Sequence, residues 1–286
     1  MASCLENKRY KMMKVKEDEY VPDVEDTFPE DDPFVHKLSY ENIYNEVFDE
    51  NYPYLDNSWK WKIGHLWALF RNNFICKWFN YVYFGMRYKG KENIKKFKKD
   101  FANGAVTVCN HAYRWDFLSV WNGTGRLRIW YPAWADNFQT RDRDNMRHTC
   151  GIPVPKSMSA MKKFNEAFDT LHERKEWIHV FPEECRWNNY KPIRPFRKGA
   201  FIFAYKYKLP ILPMVIVYRE RTGIYKLFNK TEPLYTCRIG EPIYPNFDLQ
   251  RKEAVDELRD RVHAKMCEMA GIIENPWPSV QPNDKG

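Results

Sequence analysis

Apolar side chains along residues 1–56 keep neither a period of two nor one of 3.6, and Pro22, Pro29, Pro33 and Pro53 interrupt any pattern that starts. The stretch reads as an arm, not as a domain with its own core. At Ser58 the texture changes. SWKWKIGHLWALFRNNFICKWFNYVYFGMR, residues 58–87, is apolar and aromatic on nearly every side, which predicts a helical segment within 57–89. Beyond it, short β-branched runs alternate with helical patterns. AVTVCN (105–110), RIWYPAW (128–134), WIHVF (177–181) and ILPMVIVY (211–218) predict strands. Behind Ser157, a ready N-cap, Met158, Met161, Phe164, Phe168 and Leu171 recur at three-and-four spacing and predict a helix. A last helix starts near Asp248, carries Val255, Leu258, Val262, Met266 and Met269, and stops before Gly271 and Pro276. Such alternation predicts an α/β fold: a mixed, mostly parallel sheet flanked by helices, occupying residues 90–275, with a tail at 276–286.

Charge adds a partner to this picture. Residues 17–32 hold nine acids and no base, so a formal charge of +8 for the chain becomes +17 once those sixteen residues are set aside. That balance points to an anionic partner: phosphate, nucleic acid or a membrane surface. Seven cysteines (Cys4, Cys76, Cys109, Cys150, Cys185, Cys237, Cys267) form no C-x-x-C pair, which fits a reduced, intracellular chain without a zinc site. The first 30 residues lack a signal peptide's apolar stretch, and no 18-residue window is free of charge, so no span is demanded.

The candidate chemistry begins in VTVCNHAYRWDF, residues 106–117. On one helix, residues five apart diverge by about 140°, so His111 and Asp116 cannot meet there. They meet if His111 lies in the loop after the strand and Asp116 in the first turn of the next helix, where a carboxylate also suits the helix dipole. Three further blocks follow: GIPVPK, ending at Lys156; FPEECRW, with Glu183 and Arg186 at the carboxyl end of a strand; and FRKGAFIFAYKYKLPILPMVI, with Gly199 at a helix start and Pro210 and Pro213 at a strand entry.

In these four ordered blocks the chain resembles the glycerol-phosphate and lysophospholipid acyltransferases, over roughly residues 58–245. The family's Asn-His, four residues, Asp is met by Asn110, His111 and Asp116; Phe-Pro-Glu-Gly-(Thr/Ser)-Arg in part by Phe181, Pro182, Glu183 and Arg186; Phe-(Lys/Arg)-Lys-Gly-Ala by Phe196 to Ala200; and Pro-x-x-Pro by Pro210 and Pro213. GKEN, Gly90 to Asn93, resembles the family's entry segment. Two departures stand out. Glu184-Cys185 replaces Gly-(Thr/Ser), and the second block offers Lys156 where arginine is usual, without the bidentate fork. The resemblance implies the family's α/β fold and transfer of a fatty acyl group from a thioester, acyl-CoA or acyl carrier protein, to the hydroxyl of a glycerol phosphate or lysophospholipid, 1-acylglycerol-3-phosphate first. His111 would be the general base and Asp116 its orienter. Arg186, with Lys156, would clamp the acceptor phosphate, and Glu183 would position Arg186 or a substrate hydroxyl. No cofactor and no metal are implied.

Plainer readings of the same residues stay open. A lone histidine is ordinarily structural, Arg186 could be spent on Glu183 or Glu184, and Lys156 could be a solvated loop lysine. His179 reads as a packed core side chain, and Cys109 and Cys185 as fillers. Lys191, Arg194, Arg197 and Lys198, with Arg186, could be a solvated face, a donor-docking site or a lipid-headgroup contact. Two other classes compete with the enzyme: an inactive lipid- or CoA-binding relative, and a nucleic-acid binder, for which no motif is present. The aromatic segment, with Trp59, Trp61, Trp67 and Trp78 among Lys60, Lys62, Arg71 and Lys77, is expected to lie in a membrane interface instead of burying itself on the sheet. A peripheral protein on a membrane's cytoplasmic face is the corresponding expectation.

Overall fold

The computed structural model describes residues 8–23, 26–36, 41–228 and 231–280. Cys4, Glu25 and the end of the tail lie outside them. Strands β1 (Lys14–Val15), β2 (Arg87–Lys89), β3 (Val106–Val108), β4 (Tyr131–Trp134), β5 (Gly151–Val154), β6 (Ile178–Val180), β7 (Ile211–Arg219), β8 (Leu234–Ile239) and β9 (Ile272–Glu274) are interleaved with helices α1 (Lys8–Met12), α2 (Trp59–Phe70), α3 (Lys77–Val82), α4 (Lys91–Lys96), α5 (Asp116–Thr124), α6 (Arg143–His148), α7 (Met158–Glu173), α8 (Gly199–Tyr207), α9 (Tyr225–Phe228) and α10 (Arg251–Met269).

The central sheet runs β2-β8-β7-β3-β6. β3 is parallel to both β6 and β7, β2 is parallel to β8, and only the β7–β8 pair is antiparallel. A parallel bridge from Trp130 to Ile178 attaches the parallel pair β4–β5 beyond β6. The expected mixed, mostly parallel sheet is therefore present, and each of the four strands read from β-branched runs exists. β2, β5 and β8 carried weaker alternation. β7 shows why its run is unbroken by polar residues: Ile211, Val215 and Val217 pack with α7, α8 and α10 on one face, while Leu212, Met214 and Ile216 pack with α5 on the other.

The arm has no core of its own, yet it is laid down on the domain. β1 pairs antiparallel with β9. Phe28 stacks on Trp187 at 4.9 Å, and Tyr10 packs on Tyr190 at 5.6 Å. Glu19, from the acidic run, is buried between Lys191 at 3.0 Å and Arg238 at 2.5 Å.

The aromatic segment is helical and turned inside out. Ser58 caps it, its Oγ accepting from Trp61 N–H at 3.2 Å. A π-helical stretch, Arg71–Cys76, joins α2 to α3, and its slower rotation keeps the inward line in phase from Asn72 to Asn80. That inward line is largely polar: His65, Asn72 and Asn80 are buried beside Trp61 and Ala68. Asn80 donates to Ser119 and accepts from the Tyr113 hydroxyl, each at 3.0 Å. Trp59, Leu66, Phe74 and Trp78 point outward, each about two-thirds exposed. Among the described residues no helix is long and apolar enough to cross a membrane.

Candidate active site

β7, β3, β6, β4 and β5 all point the same way, so the loops that leave β3 and β6 open at one end of the sheet, where ligands of α/β sheets collect. His111 stands in the loop after β3. Asp116 is the first residue of α5. The expected meeting occurs: His111 Nδ1 lies 2.5 Å from Asp116 Oδ2.

Backbone groups hold this carboxylate in place. Oδ2 also accepts from Ala112 N–H at 3.0 Å and Tyr113 N–H at 3.4 Å, and Oδ1 accepts from Phe117 N–H at 2.8 Å. A carboxylate so supplied with donors accepts from the imidazole too, so Nδ1 carries the ring proton and Nε2 keeps its lone pair. Asp116 is buried, whereas the His111 side chain is 21% exposed. Phe181 covers one face of the ring, parallel to within 11° at a centroid distance of 4.1 Å. The imidazole can thus turn only one nitrogen, Nε2, toward the open end of the site.

Asn110 does structural work that its place in the motif does not reveal. β3 ends at Val108 while β7 continues to Arg219. The Asn110 amide fills the gap: its nitrogen donates to Ile216 C=O at 3.0 Å and its oxygen accepts from Ile216 N–H at 2.7 Å. A side chain replaces the missing strand residue, leaving the chain free to turn at His111.

The other candidates separate. Glu183, expected at a substrate, lies behind the site: Oε2 accepts from His111 N–H at 2.9 Å and from Arg194 Nη2 at 3.1 Å, and Oε1 from Arg194 N–H at 2.8 Å. Its position follows from two loops whose N–H groups turn inward and need an acceptor. Arg186 is paired with neither Glu183 nor Glu184. It is half-buried, and its Nε has no hydrogen-bond partner among the described residues. The loop carrying it is tied to the loop after β3 by Trp187 N–H to His111 C=O at 3.2 Å and Asn189 N–H to Ala112 C=O at 2.8 Å. Lys156 sits at the same end of the sheet but three strands from β3, about 14 Å at ordinary strand spacing. It is exposed, 3.4 Å from Asp136.

The basic set is not a solvated face. Lys191 and Arg194 are both 1% exposed and paired with Glu19 and Glu183, while Arg197 pairs with Glu184 and Lys198 with Asp256. Arg194, whose guanidinium also donates to Pro33 C=O at 2.6 Å, is the site residue the sequence hid. Nothing in its spacing distinguishes it from its neighbours. His179 is fully buried, 2.9 Å from the Thr107 hydroxyl, and burial, with His111 nearby, depresses its pKa to about 3. Burial pushes the Cys109 and Cys185 thiols up, so neither supplies a thiolate at neutral pH.

The Acyltransferase family model matches residues 85–217, the span from β2 through most of β7 that holds the whole site. A 1-acyl-sn-glycerol-3-phosphate acyltransferase of Cocos nucifera is 30% identical over 185 residues, 58% of this chain and 54% of that protein. Over residues 85–217, just under half of its 286, the chain is similar to the acyltransferases.

Other acyltransferases align over shorter stretches. A putative 1-acyl-sn-glycerol-3-phosphate acyltransferase of Caenorhabditis elegans is 30% identical over 39% of this chain and 42% of its own length. The Saccharomyces cerevisiae 1-acyl-sn-glycerol-3-phosphate acyltransferase is 29% identical over 40% and 37%. The chain thus spans about half or less of the curated relatives it matches. The solved 1-acyl-sn-glycerophosphate acyltransferase PlsC of Thermotoga maritima superposes with a TM-score of 0.48 at 20% identity, covering 76% of this chain and 85% of that one. One departure from the acyltransferase pattern has a structural consequence. Glu184, where the pattern has glycine, takes the left-handed conformation with φ 67°, which glycine enters freely and glutamate does not.

Proposed function

We propose that this protein is an acyltransferase that moves a fatty acyl group from an acyl thioester to the hydroxyl of a phosphate-bearing glycerolipid acceptor, 1-acylglycerol-3-phosphate, at a membrane surface. The observation that carries this reading is the His111–Asp116 pair, with Nδ1 engaged at 2.5 Å and Nε2 left as the basic nitrogen. Nε2 takes the proton from the acceptor hydroxyl as its oxygen attacks the thioester carbonyl carbon. The C–O bond forms, the tetrahedral intermediate collapses, the C–S bond breaks, and the departing thiolate takes the proton back from His111. Asp116 stabilises the imidazolium between these steps. No enzyme nucleophile enters, in keeping with two buried, protonated cysteines beside the site. Arg186, with its unpartnered Nε, is the group for the acceptor's phosphate. Glu183 takes the role of scaffold.

The outward apolar face of α2 and α3 supports a peripheral seat on the bilayer, on its cytoplasmic side, since a patch of this extent is unusual on a surface that meets only water. Free cysteines suit that compartment.

The test mixes purified protein with acyl-CoA or acyl carrier protein donors and with glycerol 3-phosphate, 1-acylglycerol-3-phosphate and other lysophospholipids, reading products by mass spectrometry. A diacylated phosphate product that disappears in His111→Ala is expected. No transfer from either donor class to any acceptor would leave the chain as a binding relative.

A further inference from the structure

Where α3 meets the sheet, a cleft of about 560 Å³ is lined by Tyr81, Arg87, Tyr88, Lys91 and Tyr225 around the backbone of Gly85. It is open, and its lining includes two cations and no carboxylate. The charge around it is also unbalanced. Arg219 reaches Gly85 C=O, Tyr235 C=O at 3.2 Å and the Thr236 hydroxyl at 2.9 Å, all neutral acceptors. Among the described residues, none of Lys77, Arg87, Lys91 and Arg219 is paired with an acid. Lys91 instead rests over the Tyr88 ring, 4.5 Å from its centroid. Burial lowers the Lys91 pKa, and Lys77 lowers it further; burial does the same to Arg219, with Arg87 adding to it. Arg87 and Lys91 share the cleft, each beside a second cation, Arg219 and Lys77, and no ion-pairing acid lies among these four in the described residues, which makes a site for an anion.

The place of the cleft says which anion. β2 runs antiparallel to β3, so its start at Arg87 lies at the same end of the sheet as His111, three strands away, about 14 Å. One wall continues into α3, where Trp78 and Val82 are exposed at 67% and 41%. Cations and tyrosines on a cleft that opens beside exposed tryptophan suit a phosphate with acyl chains attached. We infer that Arg87 and Lys91 bind the phosphate of an anionic glycerolipid, separately from the acceptor phosphate at Arg186, and that this contact sets the active-site end of the sheet against the bilayer.

Binding of water-soluble dihexanoylphosphatidate, dihexanoylphosphatidylcholine and inorganic phosphate to the full chain tests this by calorimetry, without turnover and without a membrane. The dihexanoylphosphatidate is expected to bind at least ten times tighter than the phosphatidylcholine. Arg87→Gln with Lys91→Gln should remove that preference while Arg186→Ala leaves a binding event in place, and the charge-conserving Arg87→Lys with Lys91→Arg should retain it. Inorganic phosphate binding as well as the dihexanoylphosphatidate, with the same dependence on Arg87 and Lys91, would assign the cleft to free phosphate and overturn the lipid. Equal binding by wild type and the Gln variant, or loss of all binding in Arg186→Ala, would overturn the site. Because no acyl transfer is measured, an inactive protein can still pass this test.

Discussion

Arg194 Nη2 lies 3.1 Å from Glu183 Oε2, and that same oxygen accepts the backbone N–H of His111 at 2.9 Å. One buried ion pair therefore supports the His111 loop from below, away from the imidazole ring. Arg194→Met would leave Glu183 buried without its counter-ion, a loss of about 3–5 kcal/mol. Urea unfolding should show it. Arg194→Lys should recover part of the stability but not the guanidinium's simultaneous contacts to Glu183, Cys185 and Pro33, so kcat should fall while acceptor KM holds. Equal stability of wild type and Arg194→Met would remove the pair from this role.

Arg186 should behave differently from Arg194. Its Nε is unpartnered, so Arg186→Ala costs the fold little. A charge-assisted contact to phosphate contributes about 1.5–3 kcal/mol, so KM for a phosphate-bearing acceptor should rise roughly 10- to 100-fold with donor KM unchanged. A parallel rise for both substrates would make Arg186 scaffold.

Glu184 offers a stabilising change. Its φ of 67° costs a β-carbon residue about 1 kcal/mol or more relative to glycine, and its carboxylate pairs with the exposed guanidinium of Arg197. Glu184→Gly should therefore raise the denaturation midpoint by about 1 kcal/mol in equivalent stability and leave turnover near wild type. A drop in stability would show that the Arg197 contact outweighs the backbone.

Acid should loosen the fold through buried imidazoles. Burial lowers His263 to about 4 and His179 to about 3, against about 6.5 in an unfolded chain. Between those values the unfolded state binds more protons than the native one, so stability rises with pH and falls on acidification. His65 and His148, lowered for the same reason, act in the same direction. Each imidazole contributes a slope of up to about 1.4 kcal/mol per pH unit. From pH 6.5 to 5, above the carboxylate range, His263→Gln should show a slope shallower by most of one proton. Identical slopes would exclude His263 as a contributor.

The apolar face of α2 should govern membrane contact. Leu66 and Trp67 are 65% and 58% exposed, so Leu66→Asp with Trp67→Asp disturbs no core. Flotation with vesicles containing phosphatidylglycerol should fall at least tenfold for the double variant at unchanged melting temperature. Unaltered flotation would assign bilayer contact to another surface.

Periodicity and local turn chemistry were enough to read the alternating α/β architecture, the strands β3, β6 and β7, helix α7 with its Ser157 cap, and the joining of His111 to Asp116. Each depends on neighbours in the chain, where residue spacing sets direction. Even the aromatic segment was legible as helical from composition. Its inward line of His65, Asn72 and Asn80 was not, because which face turns inward depends on acceptors such as the His148 carbonyl, 83 residues away. The same distance hid Arg194 under His111, Lys191 beside Glu19 and the purpose of the acidic run. Charges read along a chain add up to a field, whereas a folded protein cancels them pairwise between segments that meet only in space. Among the described residues, tertiary structure alone decided which cations were spent on carboxylates and which were not.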